Sequence, residues 1–585
     1  PVRDALAMAP LTRQASPWSY GSLLLRTDDG RMWPFQPGSS LQTTWVTLIV
    51  GTPGSGKSVL MNALNFGSAI TPPVAGGKTP ELPRIAMIDI GPSSSGLISL
   101  MREALPVERR HEVEFRQLRM SRDDAINVFD LQLGMRRPLS NERQFLINFL
   151  ALVCGDGINP INSAMRGLLT ACVDRVYEDF SDQKAPRRYL PGVSPQVDEA
   201  MAAEGIETHE ETFWWEIVDA LAAAGRYHDA EVAQRYAVPT LADLVTASQT
   251  DQIASLYGEV NDPETGQPLL DAMQRMVSEV VRDYEILSNH TAFSLGSARV
   301  VSLDLAHVTP GGKSATAQKQ TSLMYMLARQ VLTRDYFLSE KEFQSRVADG
   351  TLPEVHKAYH IERARASAYL PKILCYDEFH RTGNIESICQ QVLQDAREGR
   401  KFNVDIKLAS QLITDFPKDI IEVSTGIIVC NAGSESSVEY LDSVITLSDA
   451  DKRVMRTALN GPSSRGAPFW AMWKLKGQGQ VRQKLTLTLG PAEIWAFSTT
   501  AQDVALRTRL YETLGPRLAR RVLGRRFPGG SAEGEIKSRV ARMEDEGHRY
   551  GDEARADIVG GLMEDLKSQA LMLDDHTEPQ KGQTS

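Results

Sequence analysis

Residues 51–58, Gly51-Thr52-Pro53-Gly54-Ser55-Gly56-Lys57-Ser58, satisfy the spacing G-x-x-x-x-G-K-[ST]. That spacing is a phosphate-binding device. Glycines let the backbone curl so that successive N–H groups point inward at an anion, and a helix opening at the lysine adds the positive end of its dipole. Lys57 is expected to reach the β- and γ-phosphates of ATP, and the Ser58 hydroxyl to ligate Mg2+. A chance Gly/Ser-rich loop could have the same composition. Here, however, the apolar β-branched run Trp45 to Val50 precedes the motif and a helical stretch, Val59 to Ala69, follows it.

A nucleotide site needs acidic groups opposite the loop. The strongest candidates close Ile373-Leu374-Cys375-Tyr376-Asp377-Glu378, an apolar strand that delivers two carboxylates to the carboxyl edge of a sheet, where ligands bind. Asp377 is expected to hold Mg2+, and Glu378 to orient or deprotonate the attacking water. A capping Asp-Glu pair after a core strand is the bland reading. Val300 to Asp304 is a rival strand end, but Leu305 stands where a glutamate would be needed. The turn Asp89-Ile90-Gly91-Pro92-Ser93 fits either the site edge or a structural role. Downstream, Leu408-Ala409-Ser410-Gln411 puts Gln411 at a strand end, where an amide can sense the γ-phosphate. In Arg397-Glu398-Gly399-Arg400-Lys401, Arg400 and Lys401 read equally well as phosphate contacts and as cations closing a helix.

The elements that must position these residues follow from hydrophobic patterning. Buried-strand signals occur at 45–50, 84–90, 299–305, 372–376, 404–409 and 426–430, with a hairpin at 467–475 and 481–489 joined through Gly477-Gln478-Gly479. Strand–helix–strand alternation implies a parallel sheet. From 141 to 290 helical patterns dominate, including a capped start at Thr240 with Asp243 three residues on. The expected organisation is a loop-rich linker over 1–40, motor core over 41–140 and 291–500, and a mostly helical insertion over 141–290. A helical extension with a disordered tail is expected over 501–585.

With 585 residues, 42% hydrophobic and 24% charged, the chain excludes collagen, disordered and disulfide-scaffold classes. Its 64 basic and 74 acidic residues give a net charge of −10, so nucleic-acid binding would need a local basic patch. The run Arg517, Arg520, Arg521, Arg525, Arg526 is the strongest such stretch, and a solvated helix face is its commonest meaning. Cys154, Cys172, Cys375, Cys389 and Cys430 form no CxxC and read as reduced thiols of a cytoplasmic protein. No run reaches the roughly 20 apolar residues of a membrane span. His356 and His360, four apart, lack a third ligand, and Trp214 and Trp215 read as core. The chain begins at Pro1, which fits a processed or truncated part of something longer.

Taken in order, these features resemble the large assembly ATPases of type IV secretion systems (the VirB-type and TraC-like proteins), with the closest likeness to the type IVB DotO/IcmB-like branch. The likeness rests on the phosphate loop, Ile126-Asn127-Val128-Phe129-Asp130, the Asp377-Glu378 strand, Ala396 to Lys401, Ser410-Gln411 and Trp495-Ala496-Phe497-Ser498-Thr499-Thr500. It covers roughly residues 40 to 525. It implies an α/β, RecA-like P-loop NTPase with a mostly parallel sheet, an all-α insertion domain and a helical C-terminal extension. It further implies ATP and Mg2+ as ligands and a homo-hexamer. The implied partners are other secretion ATPases and inner-membrane subunits at the cytoplasmic face of the bacterial inner membrane, and the implied cargo is protein or DNA. Carried over by position, the catalytic set is Lys57, Glu378, Gln411 and Arg400, with Asp377 and Ser58 toward the metal, and with Arg400 and Lys401 as cations that contact phosphate or act in trans on a neighbouring copy. Two positions depart from the common pattern: Ser58 replaces a frequent Thr, and Phe379-His380 follows the acidic pair. A DNA-translocating ring ATPase of the FtsK/HerA superfamily and a nucleotide-gated scaffold remain the competing readings.

Overall fold

A computed structural model describes residues 15–71, 81–156, 161–263, 266–545 and 552–574. Eleven described strands form one sheet in the order β2-β1-β11-β10-β9-β3-β8-β7-β4-β6-β5. They are β1 (Leu23–Arg26), β2 (Met32–Phe35), β3 (Val46–Val50), β4 (Arg84–Asp89), β5 (Val113–Gln117), β6 (Val300–Asp304), β7 (Lys372–Tyr376), β8 (Val404–Ser410), β9 (Gly426–Val429), β10 (Ala467–Leu475) and β11 (Gly479–Leu487). From β9 to β5 every pairing is parallel, and from β9 outward to β2 every pairing is antiparallel. The registers place the carboxyl ends of β3, β8, β7, β4 and β6 along one edge.

Both faces of the parallel part are covered, which is why its strands read as continuous apolar runs. Alternate residues serve opposite layers. Val46, Leu48 and Val50 of β3 and Ala86 and Ile88 of β4 enter the core shared with the Ala315–Leu332 and Glu386–Gly399 helices. Ile49, Ile85 and Met87 face the other layer, built from the Lys57–Ile70, Ser95–Ala104 and Pro491–Phe497 helices. Between β5 and β6 the described residues form eight α-helices, among them Ser140–Val153, Ser163–Asp179, Trp214–Ala223 and Leu269–Asp283. Asp243 accepts the Thr240 backbone N–H at 2.7 Å, the acidic half of the cap read from the sequence. The C-terminal helices form a third core around Trp495, Leu506, Leu510, Leu523, Leu562 and Leu566. Residues 575–585, where a disordered tail is expected, lie outside the described residues.

One expectation needs correction. Residues 15–40 are not simply linker: β1 and β2 extend the sheet, and Trp18, Trp33, Phe35 and Trp473 pack ring against ring at 4.8–5.4 Å to hold them on β10. Full burial of side chains this size contributes about 2–3 kcal/mol each.

Candidate nucleotide site

The loop after β3 is fixed at both ends. Gly51 N–H donates to the Ser410 carbonyl at 3.1 Å, and the Lys57–Ile70 helix starts at the motif lysine. Gly54 (φ 81°) and Gly56 (φ 90°) occupy the left-handed region that only glycine enters without cost. A Cβ on Gly51 would come within 2.3 Å of Ser55 Oγ. Outside Gly54 there is nothing within 4 Å of where a Cβ would stand, so the loop opens outward there. Ser55 Oγ is buried without a hydrogen-bond partner. A cradle of this shape with an orphaned polar atom and a buried lysine fits a phosphate chain. Thr52 and Pro53 complete its outer rim, and Ser58 follows in the first helical turn, where its hydroxyl would serve Mg2+.

Opposite the loop, Asp377 N–H donates to the Ile88 carbonyl at 2.9 Å and so continues the β7–β4 ladder by one residue. The backbone then turns left-handed at Glu378 (φ 50°, ψ 39°). A non-glycine residue there carries about 1–2 kcal/mol of strain, of the kind that clusters at functional sites. The Tyr325 hydroxyl braces the turn by donating to the Asp377 carbonyl.

Lys57 joins the two halves. Its Nζ donates to Asp377 Oδ1 at 3.1 Å and to Glu378 Oε1 at 2.5 Å. Gln411 Nε2 donates to the other Glu378 oxygen at 3.2 Å, and His380 Nδ1 lies 3.3 Å from that same oxygen. Gln411 can do this because β8 lies between β3 and β7 in the sheet. Burial works to raise the Glu378 pKa, but Lys57 outweighs it and the carboxyl ends below its ordinary value. Burial works to lower the Lys57 pKa, and Asp377 and Glu378 together leave it raised. Asp89, at the end of the adjacent β4, is pushed up to about 7 by burial and by the Asp377 charge, against hydrogen bonds from Ser93 and Ser94. The loop thus faces two carboxylates held by one cation.

The structure does not bring Arg400 and Lys401 to this site. The Glu386–Gly399 helix runs back to the amino-terminal edge of the sheet, and β8 starts there, with Val404 opposite Lys372. Both cations are exposed, and the seven residues of β8 put them about 20 Å from Gln411 at roughly 3.3 Å per residue. A phosphate contact within one chain is therefore excluded for them. Asp304 is occupied elsewhere: it accepts Gly91 N–H at 2.8 Å and Gln117 Nε2 at 2.8 Å, two strands away from β7. His356 and His360 bond separately, to Asp219 at 2.7 Å and the Leu133 carbonyl at 2.6 Å. Trp214 stacks on Tyr236, and Trp215 donates to the Phe180 carbonyl. The sequence reading missed Tyr325, which sits on a helix between two apolar neighbours and carries no motif.

No model of a known protein family matches the chain, and no curated protein matches it. Solved structures do. VirB4 of Thermoanaerobacter pseudethanolicus is similar over 82% of this chain and 100% of its own, at a TM-score of 0.50 and 15% identity. The bacterial conjugative coupling protein TrwBdeltaN70 follows at a TM-score of 0.40 and 10% identity, over 82% of this chain and 90% of that one. TrwB in complex with ADP and Mg2+ gives a TM-score of 0.38 at 9% identity, over 82% and 91% of the two chains. The chain shares the fold of VirB4, a RecA-like P-loop fold with a large, mostly parallel sheet and many helices.

Proposed function

We propose that this chain is an ATP-hydrolysing motor of a type IV secretion or conjugation machine, of the type IVB kind, working as a ring of six copies. The observation that carries the reading is the meeting of Lys57 with Asp377, Glu378 and Gln411 at one sheet edge. The fold shared with VirB4 supports the class, and the phrases quoted from the sequence support the machine.

The chemistry assigned to the chain's own groups is as follows. The loop amides from Gly51 to Gly56 bind the phosphates, and Lys57 moves from the carboxylates to the β- and γ-phosphate oxygens. Ser58 and Asp377 would hold Mg2+, which would supply Lewis-acid neutralisation of phosphate charge. Once Lys57 leaves, Glu378 Oε1 is free to face a water while Oε2 stays on Gln411. Glu378 orients that water and takes its proton as attack proceeds. Arg400 and Lys401, exposed at the far edge, are left to act on a neighbouring copy. Among the described residues no helix is long and apolar enough to cross a membrane.

The test is ATP turnover against protein concentration, with and without DNA. A rate per chain that rises cooperatively with concentration and ignores DNA supports the secretion motor. Strong stimulation by DNA supports the DNA-translocating ring in its place, and a site that binds Mg-ATP but never turns it over supports the scaffold.

A further inference from the structure

We infer that Tyr325 is a positioning residue for Glu378: its hydroxyl holds the backbone turn from which that acid reaches the attacking water. The inference rests on the nucleotide reading above and extends it to a residue outside the motif set. Tyr325 is fully buried on the Ala315–Leu332 helix, which packs against β4 and against the Phe379–Thr382 turn that follows β7.

Glu378 lies in the left-handed region (φ 50°, ψ 39°), where a residue with a side chain stays only if its surroundings impose it. Two of the bonds that do so are local. Glu378 N–H donates to Asp377 Oδ1 at 2.9 Å, and Arg381 N–H donates to the Glu378 carbonyl at 3.0 Å. The third comes from outside the segment. Asp377 N–H stays in the sheet ladder on Ile88, whereas the Asp377 carbonyl accepts the Tyr325 hydroxyl. That carbonyl and the Glu378 N–H belong to one planar peptide, so fixing the carbonyl fixes the plane and with it the Glu378 φ. The hydroxyl is always able to donate: burial, with the Asp377 and Glu378 charges, holds the phenol well above its ordinary pKa.

One helix face grips the whole segment. Gln318, Ser322 and Tyr325 stand four and three residues apart and so share that face. A Cβ on Gly383 would come within 2.3 Å of Gln318 Cδ, and Ser322 Oγ donates to the Thr382 carbonyl at 3.2 Å. Of the three, Tyr325 alone meets the peptide that leads into the acid. Its ring stacks on Tyr376 at an interplanar angle of 8°, with centroids 6.2 Å apart, which keeps the hydroxyl from swinging away. From the backbone held in this way, Glu378 reaches Lys57 Nζ at 2.5 Å and Gln411 Nε2 at 3.2 Å. Without the hydroxyl the peptide is free to rotate toward an ordinary negative φ, and the carboxylate turns away from Gln411.

The experiment is ATP turnover by the full chain as wild type, Tyr325→Phe and Ser322→Ala, with Mg-ATP varied so that kcat and KM separate. Phenylalanine keeps the stacked ring and removes the hydroxyl alone. For Tyr325→Phe kcat should fall about 10-fold or more, the scale of a slightly misplaced catalytic group. KM should stay within about twofold, because the phosphate loop is untouched. Ser322→Ala removes a bond from the same helix to the far end of the same segment, at Thr382. Its kcat should stay within about twofold of wild type. An unchanged kcat in Tyr325→Phe overturns the inference. So does a loss carried wholly by KM, and so does a Ser322→Ala as slow as Tyr325→Phe, because packing of the helix and not the hydroxyl would then be responsible. A wild type that turns over no ATP removes the nucleotide reading itself, whereas an active wild type with an unaltered Tyr325→Phe removes the tyrosine's role alone.

Discussion

Replacing Lys57 with methionine keeps the length of the side chain and removes the one cation from a pocket that holds two carboxylates. The Lys57 and Asp377 side chains are 7% and 3% exposed, and Glu378 is 21% exposed. Among the described residues no other lysine or arginine pairs with either acid. At an effective dielectric near 20, unit charges about 3 Å apart attract by roughly 5 kcal/mol before desolvation. Removing one partner of a buried pair costs about 3–5 kcal/mol, and the partial exposure of Glu378 argues for the lower figure. The expected loss of stability at pH 8 is therefore about 3 kcal/mol. The pH dependence gives the sharper test. In the wild type the folded pKa of Glu378 is depressed, so its contribution is complete above the unfolded value and is lost only as pH falls through the lower folded one. In the variant only Gln411 and His380 remain to oppose burial, so the folded pKa of Glu378 rises relative to the wild type and the deficit narrows as pH falls. Urea unfolding at pH 8 and pH 5, analysed at equal slope, measures both. The deficit should shrink to about half by pH 5. A deficit equal at the two pH values, or none at pH 8, refutes the assigned electrostatics.

Gly56→Ala should cost about 1–2 kcal/mol through its φ of 90°, since the added Cβ meets Pro462 and Ala467 only at 3.4–3.5 Å; thermal unfolding reads the loss, and nucleotide titration should show weakened binding alongside it. Arg400→Ala with Lys401→Ala should leave the nucleotide affinity of the isolated chain unchanged, because about 20 Å exceeds the roughly 8 Å screening length of physiological salt; a tenfold loss measured by titration would mean that the far edge reaches the site. Arg329 and Asp395, 6% and 3% exposed, pair through two bonds of 2.6 and 3.0 Å. Arg329→Met should destabilise by about 3–5 kcal/mol, and adding Asp395→Leu should recover most of it, as urea midpoints of the single and double variants would show.

Much of the parallel sheet was legible because its strands are buried on both faces. Runs such as Ile373 to Tyr376 leave no other economical placement in a protein this polar overall. The strands that escaped lack that signature. β1 and β2 have four residues each, Pro34 interrupts the second, and proline is tolerated there because β2 is an edge. β5 reads Val-Glu-Phe-Arg-Gln, a charged edge strand. The Lys357–Tyr369 helix buries only His360, Ala364 and Ser367, too few to print a period. Within the site, Lys57, Asp377 and Glu378 announced themselves by motif and strand end. The meeting of Gln411 with Glu378 depended on β8 lying between β3 and β7, an order that patterning does not encode. Arg400 and Lys401 stand just before a parallel strand and therefore at its amino-terminal edge, away from a phosphate bound in the same chain, which leaves only the action on a neighbouring copy.

The most direct test of the central claim is calorimetric titration with Mg-ATP, with turnover measured on the same samples, for the wild type and Glu378→Gln. The wild type should bind with measurable heat and release phosphate. The variant should bind comparably and turn over about 100-fold or more slowly, the scale of a lost general base. Wild-type rates in Glu378→Gln, or a wild type that gives no heat with Mg-ATP, would contradict the assignment of a phosphate loop working against Asp377 and Glu378.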